Sequence, residues 1–216
     1  VLEQTRLLLY VGEPRPYSAA QEIYFDMIPQ EMYLNSGVWR FEIIPEEIVV
    51  GNFYMYLPSA VVRNRGTGFY FPTPEVTLTI PSTSRKVITV GAYNSVYNAY
   101  ADFSGRGYVL ERRNTGVVEE GVVKPDLVAP GVDILAPDLY GGYTAVTGTS
   151  FATPIVTGAA ALLMEWGIEQ GNDPFLYGEK VKAYLRRGAR QLPGYAYFPN
   201  AQVGYGAICV AGSLPR

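Results

Sequence analysis

Gly148-Thr149-Ser150-Phe151-Ala152-Thr153-Pro154 stands between a flexible Gly141-Gly142-Tyr143 and an apolar stretch that runs to residue 167. Ala152, Ala159, Ala160, Ala161, Leu162, Leu163 and Met164 make residues 151–167 apolar on nearly all sides, which predicts a helix buried in the centre of a domain. Ser150 lies at the mouth of that helix. The helix dipole and the free backbone N–H groups there favour negative charge, so an oxyanion formed by attack of Ser150 on an acyl group would be stabilised. Gly148 and Ala152 are small and leave room for a substrate backbone. From the serine and the helix alone, capping by Thr149 or Ser150 is the simpler reading.

Outward from this stretch the chain has α/β character. Val87-Ile88-Thr89-Val90-Gly91-Ala92 is the compact apolar run of a strand covered on both faces. A second helix is expected over 174–190, with Asp173 as N-cap, Pro174 in the first helical position, and Arg186, Arg187 and Arg190 near its C-terminal end. Residues 1–82 read differently, as all-β. Leu7 to Val11 supplies an early strand. Trp39, Phe41 and Ile43 alternate with Arg40 and Glu42, residues 51–57 are rich in Tyr and Phe and end at Pro58, and Val76, Leu78 and Ile80 alternate with Thr77 and Thr79. Hairpins stacked into a sandwich or jelly roll fit that pattern. The expected organisation is a β region over 1–82 followed by an α/β region over 83–216.

The 216 residues are enough for a large buried core, and 48% apolar against 17% charged residues is the balance of a globular chain. Histidine is absent, which removes the usual general base at neutral pH and most zinc sites from what this chain can do alone. The single Cys209 excludes an intrachain disulfide. A net charge of −3, with basic residues only in short clusters such as Arg112-Arg113 and Arg186-Arg187, gives no electrostatic reason to expect nucleic acid. No run approaches the about 18 consecutive apolar residues of a membrane span, so no membrane partner is expected. Neither a cofactor nor a metal is expected, because no carboxylate cluster suggests calcium. The chain starts at Val1 without a signal-peptide pattern and reads as a processed or excised piece.

Four segments, in order, carry a family resemblance. Residues 148–154 resemble the nucleophile motif of the subtilisin-like serine proteases, the subtilases. Residues 87–92 resemble the core strand ahead of it, Phe103-Ser104-Gly105-Arg106-Gly107 the loop that follows the strand, and Lys124-Pro125-Asp126-Leu127-Val128-Ala129-Pro130-Gly131-Val132 the approach to the serine. The resemblance implies an α/β subtilisin-like catalytic domain, of which 83–216 is the C-terminal half, with a parallel sheet and helices. It makes Ser150 the nucleophile and its N–H an oxyanion donor, with Gly148, Thr149, Ala152 and Pro154 as motif support. The family's triad runs Asp, His, Ser along the chain, so the Asp and His are expected upstream of Val1. Asp126 and Asp133 are read as structural. Asn64 follows Val61-Val62-Arg63 rather than small apolar residues and a Gly, so it is read as a turn residue and not as the family's oxyanion Asn.

Within the family, Gly37-Val38-Trp39, Gly51-Asn52-Phe53-Tyr54, residues 77–81, Pro199-Asn200 and Gly204-Tyr205-Gly206 resemble the clostridial subtilases, including the germination-associated Csp group. Those carry a jelly-roll domain inserted in the protease domain. This implies that 1–82 is most of such an insertion, and a spore-associated or secreted location. The intact protein is then expected to be a serine endopeptidase acting on proteins or peptides, with this chain alone inactive for want of a His. The alternative is a pseudoprotease scaffold that keeps Ser150 and binds a protein partner. Residues 87–92 and 151–167 would expose apolar surface alone, so the N-terminal half of the protease, or an oligomer covering the same face, is the expected partner.

Overall fold

The computed structural model describes residues 4–16, 20–48, 51, 53–59, 62–109 and 123–214. Arg112, Arg113, Asn52 and Val61, which enter the sequence reading, lie outside the described residues. Two compact units are present, Val1–Arg63 and Asn64–Arg216. Residues 64–82, grouped by sequence with the β region, therefore fall in the second unit. Paired bonds hold them there: the Thr77 N–H donates to the Arg106 carbonyl (2.8 Å), the Arg106 N–H donates to Thr77 Oγ1 (2.9 Å), and the Arg106 guanidinium meets Glu75 at 2.7 Å.

In the first unit β1 (Thr5–Gly12) and β2 (Glu22–Pro29) form an antiparallel hairpin, in register from Thr5↔Pro29 to Gly12↔Glu22. The period of two places Leu7, Leu9 and Val11 opposite Met27, Phe25 and Ile23 on one face. Residues 35–41 attach to this hairpin without becoming a strand. Asn35 donates its N–H to the buried Thr5 Oγ1 (2.7 Å), and its side-chain oxygen accepts the Gln4 N–H (3.1 Å). Trp39 Nε1 donates to the Asn35 carbonyl, and Phe41 meets Phe25 edge to face with ring centroids 4.8 Å apart. The strands expected over 38–43, 51–57 and 76–80 are irregular at every described position. Alternation assigns faces, but a strand also needs a neighbouring edge for its N–H and C=O groups. Among the described residues of this unit, β1 and β2 are the only strands.

The second unit contains β3 (Val90–Asn94), β4 (Ala99–Tyr100), β5 (Tyr108–Val109), β6 (Val123–Lys124), β7 (Leu127–Pro130), β8 (Ile134–Pro137) and β9 (Tyr143–Val146), followed by α1 (Thr149–Met164), α2 (Glu179–Gly188) and α3 (Val210–Ser213). The central sheet runs β4-β3-β7, with β3 and β7 parallel and matched from Val90↔Leu127 to Tyr93↔Pro130. Ala207 extends it by a parallel bridge to Val128. Two further pairs, β5 with β6 and β8 with β9, are antiparallel.

One face of α1, Ala152, Val156, Ala159 and Leu163, packs on Ala92, Leu127 and Ala129 of the sheet and closes a core with Leu176, Val181 and Leu185. Full burial of a Val or Leu there contributes about 1.5–3 kcal/mol. The helix is not covered on all sides: Ile155, Leu162 and Met164 remain exposed, Leu162 by 54%. With the π-helical turn Glu165–Glu169 that continues it, Thr149–Glu169 is long and apolar enough to cross a membrane, but the sealing of its inner face on β3 and β7 is the packing of a core helix. The second expected helix is shorter than 174–190. Gly178, at φ +57°, breaks the chain before Glu179, so Asp173 is not its N-cap. The Asp173 carboxylate instead accepts from Lys180 Nζ (2.5 Å) and Tyr184 OH (3.0 Å), and the bond from Lys180 holds it below the usual carboxylate range.

Candidate active site

Ser150 is the second residue of α1 and is exposed. The residues around it explain why the chain turns there. Gly148 takes φ +155° and ψ 159°, a conformation that side chains rarely adopt, and donates its N–H to the Gly131 carbonyl at 2.8 Å. Gly131 in turn donates to the Tyr93 carbonyl at 3.1 Å, so a short chain of backbone bonds runs from β3 to the start of α1. No side chain caps this helix N-terminus. The N–H of Ser150 is one of the first four of the helix, which have no intrahelical acceptor, and the dipole adds positive potential where it points. Thr149 is half-buried, and its carbonyl accepts the Thr153 hydroxyl at 3.0 Å. Ala152 is fully buried. Pro154 lies inside the helix and has no N–H to offer the Ser150 carbonyl one turn earlier. Chemically, the arrangement presents an exposed hydroxyl beside an N–H donor at the positive end of a helix that is anchored to the sheet.

No imidazole accompanies the hydroxyl, because the chain has no histidine. Asp126 serves elsewhere: it is fully buried, with Oδ2 accepting the Thr89 N–H (2.6 Å) and Lys124 Nζ (3.0 Å), Oδ1 accepting Arg186 Nε (2.9 Å), and Lys182 Nζ forming an ion pair with Oδ1 at 3.0 Å. Asp133 is exposed at φ +52°, and its N–H donates to Thr147 Oγ1 at 3.0 Å, one residue ahead of Gly148. The Asn64 carbonyl accepts the Thr67 N–H in a turn whose Gly66 has φ +84°. Among the described residues, no group of three or more His, Cys, Asp or Glu side chains is placed to hold a metal ion.

Sequence reasoning missed two features that shape the site. The first is the close approach of Gly131 to Gly148, for which the only sequence sign is a glycine directly after Pro130. The second is the gathering of Lys124, Lys182 and Arg186 on Asp126, foreshadowed only by charged residues set in the apolar run 123–130. Burial pushes the Lys124 ammonium pKa below the ordinary lysine value, against the opposing pull of Asp126.

A parallel α/β core with a motif serine at the mouth of its central helix defines a subtilisin-type serine protease fold. The chain belongs to the subtilase family: the Peptidase_S8 subtilase profile matches residues 59–206. It is 33% identical over 159 residues to the serine protease AprX of Bacillus subtilis, covering 64% of this chain and 32% of that protein. Pyrolysin of Pyrococcus furiosus is 31% identical over 156 residues, covering 62% of this chain and 11% of that protein. Among solved structures, the CspB protease of Clostridium perfringens matches 99% of this chain and 43% of its own, with 35% identity and a TM-score of 0.76. The chain thus spans about a third or less of the length of these curated relatives.

Proposed function

We propose that this chain is the nucleophile-bearing part of a serine endopeptidase, and that Ser150 attacks the peptide carbonyl. The observation that carries this reading is the exposed Ser150, held by Gly148 at the uncapped N-terminus of α1, in a chain of the subtilase family. A His and an Asp from outside these 216 residues act as base and as orienting acid. The Ser150 N–H and a further donor, also from outside, hold the oxyanion. Without that His the chain alone is inactive.

The exposed outer face of α1, with Ile155, Leu162 and Met164, supports a partner: the N-terminal half of the same domain, which covers it. The similarity to the CspB protease along nearly the whole chain, together with the β1–β2 hairpin, supports reading the early residues as part of an inserted jelly-roll-like domain.

Treating the intact protein with a fluorophosphonate probe, with Ser150→Ala as control, tests the assignment. Labelling that vanishes in the control is expected. A folded, intact protein that takes up no label would overturn it and favour the alternative, a scaffold that binds a protein partner.

A further inference from the structure

Gly131 follows β7 and is buried between the central strand and the nucleophile turn, joined to both by its own backbone: N–H to the Tyr93 carbonyl and C=O from the Gly148 N–H. Its φ is not in the left-handed region, so conformation does not demand glycine here. Space does. A Cβ on Gly131 would stand 2.7 Å from the Ala92 Cβ, 3.0 Å from the Gly148 carbonyl oxygen and 3.3 Å from the Ala152 Cβ. All three neighbours are backbone atoms or Cβ atoms, which no rotamer change can move aside. Relief of the contact must come from displacing the strand, or Gly148 and the first turn of α1.

We propose that Gly131 is a positioning residue for Ser150: the missing side chain lets the start of α1 settle close to the C-terminal ends of β3 and β7 and so fixes where the Ser150 hydroxyl and N–H stand. This rests on the nucleophile reading above. Acylation requires the hydroxyl, the N–H and the incoming carbonyl to be aligned together, and misplacement by about 1 Å can cost on the order of 10²-fold in rate.

The test uses the intact protein and four forms: the unaltered protein, Gly131→Ala, Ala92→Gly, and the double variant. Thermal melts are recorded with the fluorophosphonate labelling rate and with kcat and KM on a quenched peptide. Ala92→Gly removes the nearest obstacle on the strand and leaves the 3.0 Å Gly148 contact, so the double variant regains melting temperature and the push on the nucleophile turn is reduced. The expected result is labelling and kcat slowed on the order of 10²-fold in Gly131→Ala and by less in the double variant, where the 2.7 Å contact is gone, with KM and the pH midpoint unchanged and Ala92→Gly labelled at nearly the unaltered rate. A Gly131→Ala form that melts lower but labels as fast as the unaltered protein overturns the proposal, because the glycine then serves only strand packing. Failure of the folded, unaltered protein to label would instead remove the nucleophile reading, and this proposal with it.

Discussion

At Asp126 one fully buried carboxylate faces Lys124, Lys182 and Arg186, and the Thr89 N–H completes its shell. Lys124 and Lys182 are further held by the Val87 carbonyl, each at 2.9 Å, so the group ties the entrance of β3, the start of β7 and α2 to one point. Removing that anion would leave three cations facing one another in a poorly solvated site. Asp126→Asn should therefore destabilise the fold by about 3–5 kcal/mol, the usual cost of orphaning a buried ion pair, as read from urea unfolding of the intact protein. Lys124 adds a pH dependence. Its pKa is lowered on folding, so between that value and the unfolded 10.5 the unfolded state binds more protons. Stability contributed by this group therefore rises with pH through that window, and the burial penalty is fully present below it. Melting curves taken across the alkaline range should show this rise in the native sequence and lose it in Lys124→Met.

Elements were legible to different degrees, for physical reasons that particular segments show. The helix of residues 149–164 and the strand of residues 90–94 could be read because each carries a dense apolar pattern. The start of that strand could not: the Val87 carbonyl and the Thr89 N–H go to the ion cluster, while the Thr89 carbonyl accepts the Asp126 N–H; nor could the start of α2, where Gly178 cancels the signal of Asp173 and Pro174. In the first unit Trp39 and Phe41 alternate as a strand would, yet they are held by Asn35 and Phe25. For α1, sequence indicated apolarity all round, and the structure shows which face is already used. Leu162 is on the other face, so Leu162→Glu should lower the melting temperature of the intact protein, where the proposed N-terminal half buries it. In the chain alone the same change should raise the monomer fraction in size-exclusion chromatography. An unaltered melting temperature of the intact protein would place Leu162 in solvent and remove that covering interface.

For the whole molecule, the place of Ser150 at the mouth of α1 was readable from sequence, whereas the geometry around it was not, since the approach of Gly131 to Gly148 is a contact between segments 17 positions apart in sequence. Because the chain has no histidine, the proposed chemistry divides between two parts: this chain supplies hydroxyl, N–H and sheet, and the base is proposed to come from outside it. Mapping the fluorophosphonate adduct by peptide mass spectrometry, in the intact protein and in the 216-residue chain, addresses both parts at once. The account predicts an adduct on Ser150 in the intact protein, none after Ser150→Ala, and none on the isolated chain. An adduct on another residue, or labelling of the isolated chain at the intact protein's rate, would contradict it.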